Sequence, residues 1–188
     1  MREGHLFIIS GPSGAGKGTL VKELLRRVPD LWVSVSATTR PPRPSEKDGI
    51  DYYFLTQSEF DTRVRAGEFL EHATVHGNRY GTLRRAVERR MANGLDVILE
   101  IDPQGAFQVR SKLDRSRLIF VKAPSTKELE KRIRHRGAES DAQIRTRLAT
   151  AERELELEGT YDYVVLNDDV SRATDDLVAY LRSVSEQA

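Results

Sequence analysis

The stretch Gly11-Pro-Ser-Gly-Ala-Gly-Lys17-Gly-Thr19, set directly behind the apolar run Leu6-Phe-Ile-Ile-Ser10, constrains this chain more than any other feature. Glycines at that spacing let a strand run into a tight turn in which several backbone N–H groups converge on one anion. The helix that follows, read from Gly18 to Arg27 with Leu20, Leu24 and Leu25 at helical spacing, aims its positive dipole end at the same point. Lys17 adds a point charge for the outer phosphates of a nucleoside triphosphate. Gly11, Pro12, Ser13, Gly14, Ala15, Gly16, Gly18 and Thr19 complete the cradle. One position departs from the common pattern. The residue after the lysine is Gly18, where a serine or threonine usually touches the metal ion, and Thr19 carries the hydroxyl one step later. Direct metal ligation is therefore assigned to no residue, with Thr19 as the candidate and Mg²⁺ held largely through phosphates and water. A ligand-free glycine-rich turn is the alternative for this loop taken alone.

The 188 residues suffice for one α/β core with small insertions and fall short of two domains of average size. Lys and Arg number 30 against 29 Asp and Glu, so no overall field points to nucleic acid or a membrane surface as partner. Any positive field must be local, as at Arg40-Pro-Pro-Arg43 or from Arg132 to Arg136. The chain has no cysteine, which excludes a disulfide framework and a thiol nucleophile and fits a cytoplasmic location. The first strand starts so close to Met1 that no signal or transit peptide is expected, and no apolar run approaches the ~20 residues of a membrane span. Of the histidines, His72 and His76 are four apart but fall in a segment read as strand, and His5 and His135 stand alone, so no histidine metal site is expected.

Four further apolar segments, Val33 to Ala37, Val97 to Ile101, Leu118 to Val121 and Tyr163 to Leu166, join the first in a mostly parallel five-stranded sheet flanked by helices. Between them lie helical patterns. Leu83 to Met91 ends at Asn93-Gly94, and Ser125 to His135 opens on Ser-Thr-Lys-Glu128, the spacing of a capping box. Two stretches break this rhythm. Residues 38–84 run through a proline- and charge-rich segment, a strand at Asp51 to Leu55, a short helix from Gln57 to Ala66 and a strand at Glu68 to His76, and so form an inserted α+β lobe. Residues 132–158 carry Ile144, Leu148, Ala151 and Leu155 on one helical face with Arg and Glu opposite, and read as a helical segment apart from the core. The core is then residues 1–37, 85–131 and 159–188.

Read together, these motifs resemble the guanylate kinase family of nucleoside monophosphate kinases, P-loop proteins, over nearly the whole chain. The resemblance rests on the loop itself and on Ser34-Val-Ser-Ala-Thr-Thr-Arg40-Pro-Pro-Arg43, Gly49-Ile-Asp-Tyr52, Gly67-Glu-Phe-Leu-Glu71, Gly77-Asn-Arg-Tyr80-Gly-Thr82, Ile98-Leu-Glu100-Ile-Asp102-Pro-Gln-Gly105, Arg132-Ile-Arg-His-Arg136 and Asn167-Asp-Asp169. It implies transfer of the γ-phosphoryl group of ATP to GMP or dGMP, with Mg²⁺. It implies Arg40, Arg43, Tyr52 and Tyr80 around the acceptor phosphate, residue types that suit a dianion. Glu71 would accept from the N1–H and amino group of guanine, with Ser36 and Thr82 as hydroxyl partners and Asp102 as a further acidic contact. Thr82 stands where many relatives have serine. The resemblance also implies that residues 132–158 form a helical lid, whose closing would bring Arg132, Arg136 and Arg147 to clamp the transferring group, and that Asn167 and Asp168 lie near adenine. Arg134 and Arg145 read as solvent-facing charges, while Glu100 is open between ordering metal-bound water and a structural ion pair. Two other readings stay open: a kinase for another nucleoside monophosphate, since Lys-Gly-Thr after the loop also occurs in adenylate kinases, and a non-catalytic peptide-binding module of this fold.

Overall fold

Period-two alternation in β1 (Leu6–Ser10) sets the layering of the protein, which a computed structural model describes at residues 3–75, 77–135 and 140–186. Phe7 and Ile9 point to one face of the sheet, where they meet α1 (Lys17–Arg27), α5 (Thr126–His135), α6 (Asp141–Leu155) and α7 (Val170–Glu186). Leu6 and Ile8 point to the other, against α3 (Arg84–Ala92) and α4 (Pro103–Lys112). Both β1 faces are buried, as a central parallel strand requires. β2 (Leu31–Val33), β7 (Asp96–Glu100), β8 (Arg117–Lys122) and β9 (Tyr163–Leu166) complete a five-stranded, all-parallel sheet in the order β2-β7-β1-β8-β9.

A second sheet stands over one end of the first. It comprises β3 (Ser36–Thr38), β4 (Tyr53–Phe54), β5 (Phe69–Val75) and β6 (Asn78–Leu83) in the order β4-β3-β6-β5, covered by α2 (Gln57–Arg65). Its small core is Ala37, Phe60 and Phe69, with the two phenyl rings stacked at 4.5 Å. α2 starts on a full capping box between Thr56 and Glu59, and α6 on one between Ser140 and Gln143.

The expected single strand Val33 to Ala37 is in fact two. β2 makes its last ladder bond when Ser34 N–H donates to Ile98 O at 2.9 Å, and from Ser36 the chain pairs with β6 in the other sheet. Alternation persists through the crossing with no glycine or proline to mark it, so the sequence reads as one element. The strand expected at Asp51 to Leu55 shrinks to Tyr53–Phe54. In α1 the buried stripe is Leu20, Val21 and Leu24, and Leu25 faces solvent. Of the face expected on α6, Ile144 and Ala151 are buried and Leu148 packs beside them, while Leu155 is half-buried outside that cluster. Among the described residues no helix is long and apolar enough to cross a membrane.

Candidate active site

The loop between β1 and α1 has the geometry that its glycines predict. Gly11, Gly14 and Gly16 all adopt positive φ, at 131°, 86° and 93°. Side chains are also excluded by contact. A Cβ at Gly11 would lie 2.2 Å from Val121 O, and one at Gly16 would lie 2.2 Å from Asn167 Nδ2. Lys17 folds over the loop and donates from Nζ to Gly11 O at 2.6 Å and Pro12 O at 3.1 Å.

The loop floors a cavity of about 620 Å³ at the carboxyl ends of β1 and β7, where ligands of open α/β sheets bind. Lys17 and Gly18 line one side, Glu100 and Asp102 a second, and Arg147, Thr150 and Glu154 of α6 a third. Asp102 also N-caps α4, accepting from Gly105 N–H at 2.7 Å. A Cβ at Gly18 would be 3.4 Å from Glu100 Oε1, an ordinary contact distance that puts this carboxylate directly beside the loop. Among the described residues no cluster of three or more His, Cys, Asp or Glu forms a metal cage. Mg²⁺ needs none, since it keeps several waters and takes one or two carboxylates plus substrate phosphates. Glu100 and Asp102 fit that requirement. Thr19 is exposed and lines neither this cavity nor the next.

A second cavity of about 300 Å³ adjoins the first and shares Val75, Glu100, Ile101 and Asp102 with it. Sheet register builds its floor: Ser36 pairs with Thr82 and Thr82 with Glu71, placing three polar side chains in one row across β3, β6 and β5. A bulge between Phe69 and Glu71 turns Leu70 into the main core and leaves Glu71 facing the cavity. Glu71 is buried and accepts from Thr82 Oγ1 at 2.7 Å. Burial, assisted by Asp102 and opposed by the Thr82 hydroxyl, pushes its pKa up to about 7. A Cβ at Gly105 would come within 2.9 Å of Glu71 Oε2, so that glycine is needed for the carboxylate to fit.

At the cavity's outer wall Tyr52 and Tyr80 meet edge to face at 6.1 Å, and the Arg40 guanidinium lies 5.4 Å from the Tyr52 ring centre. Glu46 holds this corner, taking Arg40 Nη2 at 2.8 Å and Arg43 N–H at 2.8 Å. Glu46 foremost, with Tyr80, raises the Arg40 pKa above its ordinary value.

A guanylate kinase family model matches residues 3–184. The chain belongs to the guanylate kinase family. The curated guanylate kinase of Desulfitobacterium hafniense is 52% identical over 178 residues, covering 95% of this chain and 89% of that protein. That of Thermotoga maritima is 48% identical over 181 residues, 96% and 87% of the two chains. The crystal structure of guanylate kinase from Anaplasma phagocytophilum superposes with a TM-score of 0.78 at 35% identity, covering 97% of this chain and 86% of that one. A shikimate kinase from Bacteroides thetaiotaomicron, at 16% identity and a TM-score of 0.52, shares the fold alone.

Of the positions picked out by resemblance to guanylate kinases, Lys17, Asp102 and Arg147 line the first cavity, and Ser36, Tyr52, Glu71, Tyr80 and Asp102 the second. Thr82 stands behind Glu71 as its hydrogen-bond donor. Arg43 is exposed, and its backbone N–H donates to Glu46. Arg136 lies outside the described residues, as does His76. Arg132 sits behind the loop, donating to Glu128 at 3.2 Å, Asn167 O at 3.0 Å and Ala15 O at 3.5 Å. Asp168 pairs with Arg172, and Asp169 caps α7 by accepting Arg172 N–H at 2.9 Å. Arg134 is engaged by Glu130 and Asp141, each at 2.9 Å, and Arg145 is exposed, as expected of solvent-facing charges.

Sequence reasoning missed Glu154. It lines the first cavity from α6, and burial chiefly, with Asp102 adding and Lys17 opposing, raises its pKa. Its signal was the seven-residue spacing from Arg147, which puts both on one helical face.

Proposed function

We propose that the chain is an ATP-dependent guanylate kinase that phosphorylates GMP and dGMP, with residues 38–84 as the GMP lobe and 132–158 as the lid. One observation carries this reading: a phosphate-loop cavity and a cavity floored by a buried carboxylate meet at Glu100 and Asp102. ATP fits the first with its γ-phosphate toward the junction, and GMP the second with its phosphate toward Arg40, Tyr52 and Tyr80. A GMP phosphate oxygen then attacks the γ-phosphorus, the bond to the ADP oxygen breaks, and GDP and ADP result. The protein's task is alignment and charge stabilisation. Lys17 meets the outer phosphates, and Arg147 approaches the transferring group from the lid. When bound, Mg²⁺ neutralises charge between the outer phosphates, and Glu100 and Asp102 would order its water. On this reading the enzyme works in purine nucleotide metabolism, and we propose the cytoplasm as its location. An ADP-release assay with GMP, dGMP, AMP and UMP tests the reading, and turnover of AMP or UMP at the GMP rate contradicts it.

The Glu71 environment predicts a pH dependence. Guanine offers two donors, so the ionised carboxylate binds it and the protonated one does not. With Glu71 near pH 7 in the free protein, kcat/KM for GMP should climb with pH through that value and level off above it. In Glu71→Gln this ionisation should vanish, while that of the GMP phosphate at ~6 remains. Identical profiles for the two proteins would remove Glu71 from the base site.

Arg147→Ala should lower kcat about 10²-fold with little change in KM, the loss expected when a positioned charge donor acts mainly in the transition state. Arg134→Ala should leave both constants unchanged, because its guanidinium is engaged by Glu130 and Asp141 on the exposed face. Steady-state kinetics of the two variants side by side decide the point: equal small effects would leave the lid without a catalytic arginine at position 147.

A further inference from the structure

We infer that Asn167 is a positioning residue for the phosphate loop, acting on the triphosphate through the Ala15–Gly16 peptide. The inference rests on the reading of that loop as the ATP phosphate site. Ala15 lies between two glycines of positive φ, so this peptide has no side-chain preference to orient it. Asn167, itself buried, donates from Nδ2 to Ala15 O at 2.7 Å. Arg132 Nη1 adds a longer bond of 3.5 Å to the same oxygen. A trans peptide is planar, with C=O and N–H pointing opposite ways. Drawing the Ala15 carbonyl back toward Asn167 therefore turns the Gly16 N–H the other way, toward the cavity that Gly16 lines.

Asn167 is fixed on both sides. Its N–H donates to Lys122 O at 2.8 Å at the end of β8, and its own carbonyl accepts from Arg132 Nη2 at 3.0 Å. The amide also fills the volume that a Cβ on Gly16 would need, 2.2 Å away. The rest of its motif is accounted for at the start of α7, where Asp168 pairs with Arg172 and Asp169 caps the helix.

An adenine contact and a loop-positioning role make different demands on a ligand with no base. The test is calorimetric binding of ATP, GMP and inorganic tripolyphosphate, with Mg²⁺, to the wild-type chain, Asn167→Ala and Asn167→Asp. The aspartate is isosteric and sets an acceptor against the Ala15 carbonyl, so it reads the same bond if the alanine variant folds poorly. Loss of one buried donor predicts that tripolyphosphate and ATP weaken by the same factor, about tenfold or more, while GMP affinity is kept. ATP weakening alone would make Asn167 a base contact and overturn the inference. Unchanged binding of both, or equal loss for GMP together with a lowered melting temperature, would overturn it as well, the latter by showing a general structural role. A wild-type chain that binds neither ATP nor tripolyphosphate would instead overturn the reading of the loop itself.

Discussion

Lys17→Ala should lower kcat by ~10³-fold or more while the protein remains folded. Phosphoryl transfer asks the protein for little beyond alignment and stabilised charge, and removal of a single positioned donor in such a site costs about 10²–10³. Lys17 should exceed that range because it has two tasks. In this structure its ammonium bridges Gly11 O and Pro12 O, pulling the two carbonyls at the loop entrance onto one cation. It also lines the cavity, within reach of the outer phosphates. Its loss thus removes the charge and loosens the cradle. The hydrogen bonds given up are worth about 1 kcal/mol each, which leaves the melting temperature within several degrees of wild type. Lys17→Arg should not restore activity, because a planar guanidinium cannot place its charge on both carbonyls as a compact ammonium does. Near-normal turnover in Lys17→Ala would make the loop a structural turn. A collapse of the melting temperature would mean that the lost activity reports unfolding.

The parts of the fold that were legible in the sequence are those where local chemistry and tertiary structure agree. β1, the loop and α1 are written in a buried run, positive-φ glycines and a helical stripe, and each has one local solution. The cap expected at Ser125 is likewise local, its Oγ accepting from Glu128 N–H at 3.1 Å at the start of α5. What was not legible depends on contacts between distant residues. The split of the segment from Val33 to Ala37 follows from a change of partner strand, from β7 to β6, which no residue in the segment announces. β6, α4 and α7 went unassigned, although Asp102-Pro103 is a helix start with the cap and proline in their favoured places. In the site, residue types named the side chains that line the two cavities, but not the directions in which they point. Glu71 faces the cavity only because a bulge resets the register, and Glu154 reaches it only because α6 lies across the loop. Arg132 shows the converse: its charge suits a phosphate clamp, yet the backbone carbonyls of Ala15 and Asn167 hold it behind the loop.

GMP should be preferred over AMP by ~10⁴ or more in kcat/KM above neutral pH, because a site built around specific hydrogen bonds leaves buried groups unpaired with the wrong base. The two purines present opposite edges. Guanine offers N1–H and the 2-amino group, both donors, whereas adenine offers a bare N1 acceptor beside its 6-amino group. An ionised Glu71 accepts twice from guanine but meets the adenine N1 lone pair with its own. Thr82 sharpens this contrast, since its hydroxyl already satisfies Oε1 and biases the carboxylate toward the acceptor state. The energetic cost of ionising a carboxylate this buried is offset only by a ligand that supplies donors. Protonation reverses the logic: a neutral Glu71 has one O–H to donate, which suits adenine N1 and opposes guanine N1–H. With that carboxylate at about 7, selectivity should fall from both sides as the pH drops below neutrality. Glu71→Gln should reproduce the neutral state at every pH. It should cost GMP about 1.5–3 kcal/mol, the worth of a charge-assisted hydrogen bond, and leave KM for ATP nearly unchanged. The measurement is kcat/KM for GMP and AMP in both proteins across the pH range. A GMP to AMP ratio that stays constant with pH in the wild type, or that survives Glu71→Gln, would show that the base is read by other groups.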